Sequence, residues 1–207
     1  MDRLEILDGI RKIRSGESFD RAELAGILEA HGCYALLSKM PCGKKKAAVF
    51  AAVNNSIIRN RFTECAAVFK ELEDIPYAVI KGAVLSERIY GSPAMRKSGD
   101  IDLLVAPDNL DAVKKILTNH GFIQGRVIGD KIVPYTRAEL IYQKTYTHQA
   151  AAFVKSTDNR MCPFVNVDVN LDIFWGESKV HADMQEFLRH TEKTMMFGEE
   201  IYRLHPV

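Results

Sequence analysis

The chain is short of cysteine: Cys33, Cys42, Cys65 and Cys162 are the four thiols in 207 residues, and no two stand as a CxxC pair. This spacing excludes a disulfide framework and a zinc-ribbon type of site, and it reads as reduced thiols in a reducing compartment. An excess of one charge is also missing, since 28 basic and 27 acidic residues leave a net charge of +1. Proteins that grip long nucleic-acid backbones carry a basic surplus, so the balance argues against a nucleic-acid partner. The one basic run, Lys44-Lys45-Lys46, falls at a helix start and reads as a solvated face. No apolar run approaches the ~20 residues of a membrane span. The opening Met1-Asp2-Arg3-Leu4-Glu5 has no signal-peptide core. These absences point to a cytoplasmic protein with no membrane partner. Repeats and low-complexity segments are lacking as well.

What is present is ordinary globular material, 47% apolar and 27% charged, long enough for one full α/β domain and a smaller helical unit. The pattern divides near residue 75. Up to there the apolar residues recur at helical spacing: Leu4, Leu7, Ile10 and Ile13, ended by Gly16; Leu24, Ile27 and Leu28, opened by an Asp20/Glu23 capping box and ended by Gly32; then Phe50, Ile57, Phe62, Cys65 and Phe69 along a helix from about Lys45 to Leu72. From Tyr77 the period changes. Tyr77–Ile80 reads as a buried strand, Gly82–Tyr90 as a helix, and Ile101–Val105 as the next strand. Asp108 caps a helix carrying Leu110, Val113, Ile116 and Leu117. Phe122–Val133 reads as a hairpin turning at Gly129-Asp130, Leu140–Phe153 as a strand, Lys155–Met161 as a loop, and Val165–Phe174 as a strand of strict alternation. The expected fold class is α+β, a mixed β-sheet core (76–207) with an N-terminal helical unit (1–75) packed on it.

Chemistry concentrates in the acids. Side chains two apart on a strand share a face, so Asp100 and Asp102 lie together, about 6.5 Å apart along the strand, while Ile101 and Leu103 face the core. Paired carboxylates repel unless a cation sits between them, and a hard divalent ion such as Mg²⁺ suits oxygen ligands of this kind. On the later strand Asn166, Asp168, Asn170 and Asp172 form a polar face, and periodicity leaves Asp168 and Asp172 as equal candidates for a third acid. Lys81-Gly82 ends one strand and opens a helix, where backbone N–H groups can approach phosphate. Arg96, Lys97 and Ser98 precede the acid pair. Against a functional role, His148 reads as a structural histidine on the Leu140–Phe153 strand, His120 as a cation at a helix end, and Trp175 as core.

The stretch Ile80-Lys81-Gly82-Ala83, then Tyr90 and Arg96, then Gly99-Asp100-Ile101-Asp102-Leu103-Leu104-Val105 resembles the uncharacterised bacterial nucleotidyltransferases of the polymerase-beta superfamily. The resemblance covers about residues 77–176. In that branch the third acid stands in an Asp-Leu-His-Trp segment, which Asp172-Ile173-Phe174-Trp175 matches at its Asp and Trp, so the resemblance favours Asp172. It implies metal held by Asp100, Asp102 and Asp172, with Lys81, Gly82, Arg96 and Gly99 receiving a nucleoside triphosphate. It further implies Mg²⁺ or Mn²⁺ as cofactor and transfer of a nucleoside monophosphate to a hydroxyl of a small-molecule or protein acceptor. Three departures stand out. Gly82-Ala83 replaces Gly-Ser or Gly-Gly, Phe174 replaces the His, and the chain stops at Leu204-His205-Pro206-Val207 where relatives continue into a helical region. The first and last of these favour the alternative of a noncatalytic nucleotide-binding or protein-interaction module on the same fold, while the three acids at matching places argue against it.

Overall fold

The computed structural model describes residues 21–39, 45–174, 180 and 182–205, with residues 21–24 described by backbone alone. The expectations for the first helix, the Asp20/Glu23 capping box, Cys42, Lys44 and Trp175 lie outside the described residues.

The helical part consists of α1 (Arg21–Ala30), a 3-10 segment (Tyr34–Lys39), α2 (Lys45–Glu64) and α3 (Ala66–Glu71). The long helix expected from Lys45 to Leu72 is thus broken at Cys65. The α2 stripe buries Ala47, Asn54, Ile58 and Phe62, and the last two join Val68, Phe69 and Leu72 in the same core as the sheet residues Tyr77, Val79, Leu103, Val167 and Val169. Burying such side chains contributes about 1.5–3 kcal/mol each, so one apolar core holds helices and sheet together across residue 75.

The sheet has eight strands in the order β4-β3-β5-β6-β2-β1-β8-β7. They are β1 (Tyr77–Ile80), β2 (Ile101–Val105), β3 (Ile123–Ile128), β4 (Lys131–Pro134), β5 (Phe153–Ser156), β6 (Phe164–Asn170), β7 (Thr191–Met196) and β8 (Glu199–Leu204). Pairing is mixed: β2 runs parallel to β6 and β1 parallel to β8, while β1 and β2 are antiparallel. The fold is therefore α+β with N-terminal helices. Helix α4 (Gly82–Tyr90) follows β1, and α5 (Leu110–Asn119) follows β2 with Val113 and Leu117 buried. The hairpin at Gly129-Asp130 forms as expected between β3 and β4.

Four local expectations are corrected. Leu140–Phe153 is not one strand: Arg137–Tyr146 forms helix α6, and only Phe153–Ser156 is extended. Thr136 and Glu139 make a reciprocal capping box, with the Thr136 N–H donating to Glu139 Oε2 at 2.7 Å. None of the α6 residues is buried, so the core wrote no 3.6-residue period into this segment, and Leu140-Ile141-Tyr142 mimics a strand. His148 consequently lies in the loop after α6. The strand from Val165 stops at Asn170, because the Leu171 N–H turns to the carbonyl of His148 at 2.8 Å. Asp108 does not cap α5: it sits in a 3-10 turn (Pro107–Asn109), and Asn109 precedes the helix without a side-chain cap. Finally, a short helix α7 (Met184–Leu188) and the β7–β8 hairpin follow, where no element was expected. Phe197 and Gly198 both take positive φ, 56° and 95°, in the hairpin's two-residue turn. The Phe197 ring lies 5.8 Å from that of Phe62.

Candidate active site

The acids assemble at the neighbouring strands β2 and β6, with the end of β1 beside them. Ile80 at the end of β1 pairs with Asp102 in β2, and Asp102 pairs with Asp168 in β6. Side chains opposite one another on adjacent strands share a face, so Asp102 and Asp168 stand side by side; Asp100 lies two residues back, in the bend before β2, close enough for its charge to act on Asp168. The opposite face carries Ile101, Leu103, Val167 and Val169 into the core. Asp102 is 8% exposed, and Asp100 and Asp168 are half-buried.

Electrostatics report the same grouping. Burial, with the Asp100 and Asp102 carboxylates next, pushes the Asp168 carboxyl up to about 6, while Lys81 opposes the rise. Burial and then Asp102 raise the Asp100 carboxyl; the Arg61 guanidinium and Lys81 pull it down. Asp172 is placed otherwise. It lies beyond the end of β6, its Oδ1 accepts the Phe174 N–H at 2.9 Å, and its charge acts on His148. The His148 imidazole is held below its ordinary range by burial and then by Lys81, with Asp172 opposing. The register therefore puts Asp168, the candidate that the resemblance set aside, beside Asp102. Among the described residues no group of three or more His, Cys, Asp or Glu side chains forms a ready metal cage.

Two side chains that the sequence did not single out fix Asp102. Asn170 is 1% exposed, and its Nδ2 donates to Asp102 Oδ1 and to the Leu103 carbonyl, both at 3.3 Å. Gln149 Nε2 in turn donates to Asn170 Oδ1 at 2.7 Å. Lys81 Nζ completes the group, 3.3 Å from Asp102 Oδ1 and 3.2 Å from Asn170 Oδ1. The alternating pattern from Val165 had put Asn170 on the polar face, but nothing in sequence links Gln149 to it.

Lys81 and Gly82 form the turn from β1 into α4, with φ of 55° and 40°. The first bond within α4 runs from the Leu85 N–H to the Lys81 carbonyl at 3.0 Å, which leaves the N–H groups of Gly82, Ala83 and Val84 without an acceptor inside the helix. A Cβ on Gly82 would meet Ser98 Oγ at 2.7 Å, so the close passage of the 92–100 loop requires glycine there. Ser98 is buried, and its Oγ donates to the Asp100 carbonyl at 3.0 Å.

The helical part holds that loop. Asn54 Nδ2 donates to the carbonyls of Ala94 (2.8 Å) and Arg96 (2.9 Å), Arg61 donates to the Ser98 carbonyl, and the Lys97 N–H donates to the Gly32 carbonyl at 2.6 Å. Arg61 and Asn54 are polar residues on the buried stripe of α2, and that position is their only signal in the sequence. Of the residues expected to receive nucleotide, Arg96 is exposed and its charge acts on Cys33 and Tyr90. Gly99 is exposed, and a Cβ there would meet nothing within 4 Å. His120 pairs with Glu71 at 2.8 Å, away from the acids. Cys33, Cys65 and Cys162 are buried and free.

Two cavities lie near this architecture. One of about 380 Å³, lined by Phe69, Lys70, Tyr77, Glu199 and Tyr202, touches none of the acids. The other, about 180 Å³, is lined by Leu110, Lys114, Arg137, Lys144 and Leu171 and shares Gln149 with the acid network.

Asp168→Asn is expected to stabilise the metal-free protein at pH 7. With its carboxyl raised to about 6 from an ordinary 3.8, the native state holds a proton that the unfolded chain has already released between those values. Stability falls as pH rises through this window, and above it the penalty, about 3 kcal/mol, is fully present. Thermal melts at pH 7 and pH 4 check this: the variant gains only at pH 7, and an equal gain at both would refute the electrostatic cause.

A glycine-opened helix, an acid in the bend before β2, a second acid within β2 and a third in register on β6 thus lie close together. The family model of uncharacterised nucleotidyltransferases matches residues 22–207, and the chain belongs to that family. Membership implies an enzyme with a nucleoside triphosphate substrate. Neither the curated proteins nor the solved structures hold a significant match. Among the described residues no helix is long and apolar enough to cross a membrane.

Proposed function

We propose that the protein moves a nucleoside monophosphate from a nucleoside triphosphate to an acceptor hydroxyl in a metal-dependent reaction, with Asp100, Asp102 and Asp168 as its carboxylates. The observation that carries this reading is the register Ile80–Asp102–Asp168 across three adjacent strands, which sets the acids beside the Lys81-Gly82 turn. The donor set fits a hard divalent cation: all are carboxylate oxygens, Asp102 raises the proton affinity of Asp100, both raise that of Asp168, and an ammonium already stands against Asp102. Asp102 and Asp100 would hold Mg²⁺ or Mn²⁺, which when bound neutralises triphosphate charge and acts as a Lewis acid. A ready cage is not needed for this, since Mg²⁺ is commonly bound by one or two carboxylates together with substrate phosphates.

The chain's own residues do the rest. The free N–H groups of Gly82, Ala83 and Val84 receive phosphate oxygens at the helix N-terminus. Asp168 accepts the proton of the acceptor hydroxyl as that oxygen bonds to the α-phosphorus and pyrophosphate leaves. A carboxyl titrating near 6 suits proton transfer near neutrality. Asn170 and Gln149 keep Asp102 oriented. Asp172, whose charge acts on His148, is left out of this ligand set.

A second reading, nucleotide binding without turnover, draws on Ala83, which stands after Gly82 where the resembled family often carries a serine or glycine. Incubation with each labelled nucleoside triphosphate, Mg²⁺ and cell extract, followed by mass spectrometry, separates the two. Transfer is expected as a nucleoside monophosphate mass on one acceptor, lost in Asp102→Asn. Metal-independent nucleotide binding with no labelled product from any triphosphate would establish the second reading instead.

A further inference from the structure

Lys81 stands in two unusual situations at once. Its backbone takes φ 55° and ψ −150°, a region that costs a residue with a Cβ roughly 1–3 kcal/mol. Its ammonium, meanwhile, reaches both Asp102 Oδ1 and Asn170 Oδ1. The two ends of the ion pair differ sharply in freedom. The Lys81 side chain is 51% exposed, whereas that of Asp102 is 10% exposed and is also held by Asn170, which donates to the same Oδ1. When the ammonium leaves, Asn170 keeps its bond from Gln149, so the carboxylate scaffold stays in place. The released charge remains beside the free N–H groups that open α4, and it stays tethered within reach of Asp102.

We propose that Lys81 is a resident counter-cation that occupies the Asp102 carboxylate before substrate arrives and competes there with the divalent cation. Metal then binds tightly only with nucleotide, whose phosphates take over the displaced ammonium. The proposal rests on the metal-dependent reading of the site. It makes Lys81 a positioning residue that couples two binding events, and it gives opposite signs for metal alone and for nucleotide. Deleting the ammonium removes the competitor and leaves the acids mutually repelling, which raises affinity for bare metal. The same deletion removes a phosphate partner.

The test is Mn²⁺ binding followed by electron paramagnetic resonance, for wild type, Lys81→Met and Lys81→Gly, with and without a nonhydrolysable nucleoside triphosphate analogue. Lys81→Met preserves side-chain length. Lys81→Gly also relieves the positive φ, so it folds even if the methionine variant does not. Both variants are expected to bind Mn²⁺ alone about tenfold more tightly and the analogue about tenfold more weakly, as order-of-magnitude effects of one partly screened charge. Mn²⁺ affinity unchanged or weaker in the variants, with wild-type binding still abolished by Asp102→Asn, would overturn the Lys81 proposal alone. Absence of Mn²⁺ binding in every protein, with nucleotide or without, would overturn the metal reading and this proposal with it.

Discussion

Replacing Asp102 by asparagine is expected to weaken Mg²⁺-dependent nucleotide binding on the order of a hundredfold or more and to abolish transfer, with the fold intact. Asparagine keeps the shape of the side chain and an oxygen for Asn170, but it withdraws the buried anionic ligand on which a hard cation depends. Stability should move little. The Lys81 partner is half exposed, and a screened pair of that kind is worth about 0–1 kcal/mol. The comparison that decides is melting temperature without metal beside Mg²⁺–nucleotide affinity, for both proteins in one buffer. Unchanged affinity together with a steep fall in melting temperature would show Asp102 to be a structural carboxylate.

Gly82→Ala should be the most damaging conservative change in the site. The new Cβ lies 2.7 Å from Ser98 Oγ, and φ is +40°. Ser98 cannot swing away without surrendering its bond to the Asp100 carbonyl, so the turn and the loop that carries the first acid must move apart. Left-handed backbone costs about 1–2 kcal/mol and overpacking about 1–3 kcal/mol. A loss of about 2–4 kcal/mol, or roughly 5–10 °C in Tm for a chain of this size, is therefore expected, along with impaired nucleotide binding. Ser98→Ala in the same background should restore part of the loss, since it removes the clashing oxygen. A Gly82→Ala protein that melts with the wild type would mean that the loop does not pass so close to the helix start.

How much of this was legible depends on what wrote the pattern. β1 and β2 were readable as short apolar runs, because the core covers both of their faces, and α4 and α5 because each buries a stripe whose spacing follows the helical turn. Helix α6 was misread because it buries nothing, so no apolar stripe reports its 3.6-residue turn, and its start is written only in Thr136 and Glu139. Strand alternation pointed to the Asp100/Asp102 pair, although Asp100 stands in the bend just before β2. Asp168 against Asp172 was not, because both fit the alternation, and the end of β6 is set by a hydrogen bond from Leu171 to His148, outside the strand. Arg61 and Asn54 were opaque for a related reason. A polar residue on an apolar stripe shows its partner only when the loop it holds, 94–98, is in place.

The sequence by itself determined the local facts: a helix opened by Gly82, two carboxylates one residue apart at the start of β2, a polar face on β6, and thiols too scattered for a disulfide framework. Local periods and backbone chemistry suffice for these, because they depend on neighbours a few residues away. Only the tertiary structure decided which acid stands beside Asp102, that Asn170 and Gln149 hold it, and that Lys81 covers it. Those are contacts between strands and loops up to 89 residues apart, and their pairing follows from strand register and core packing, which no short stretch of chain encodes.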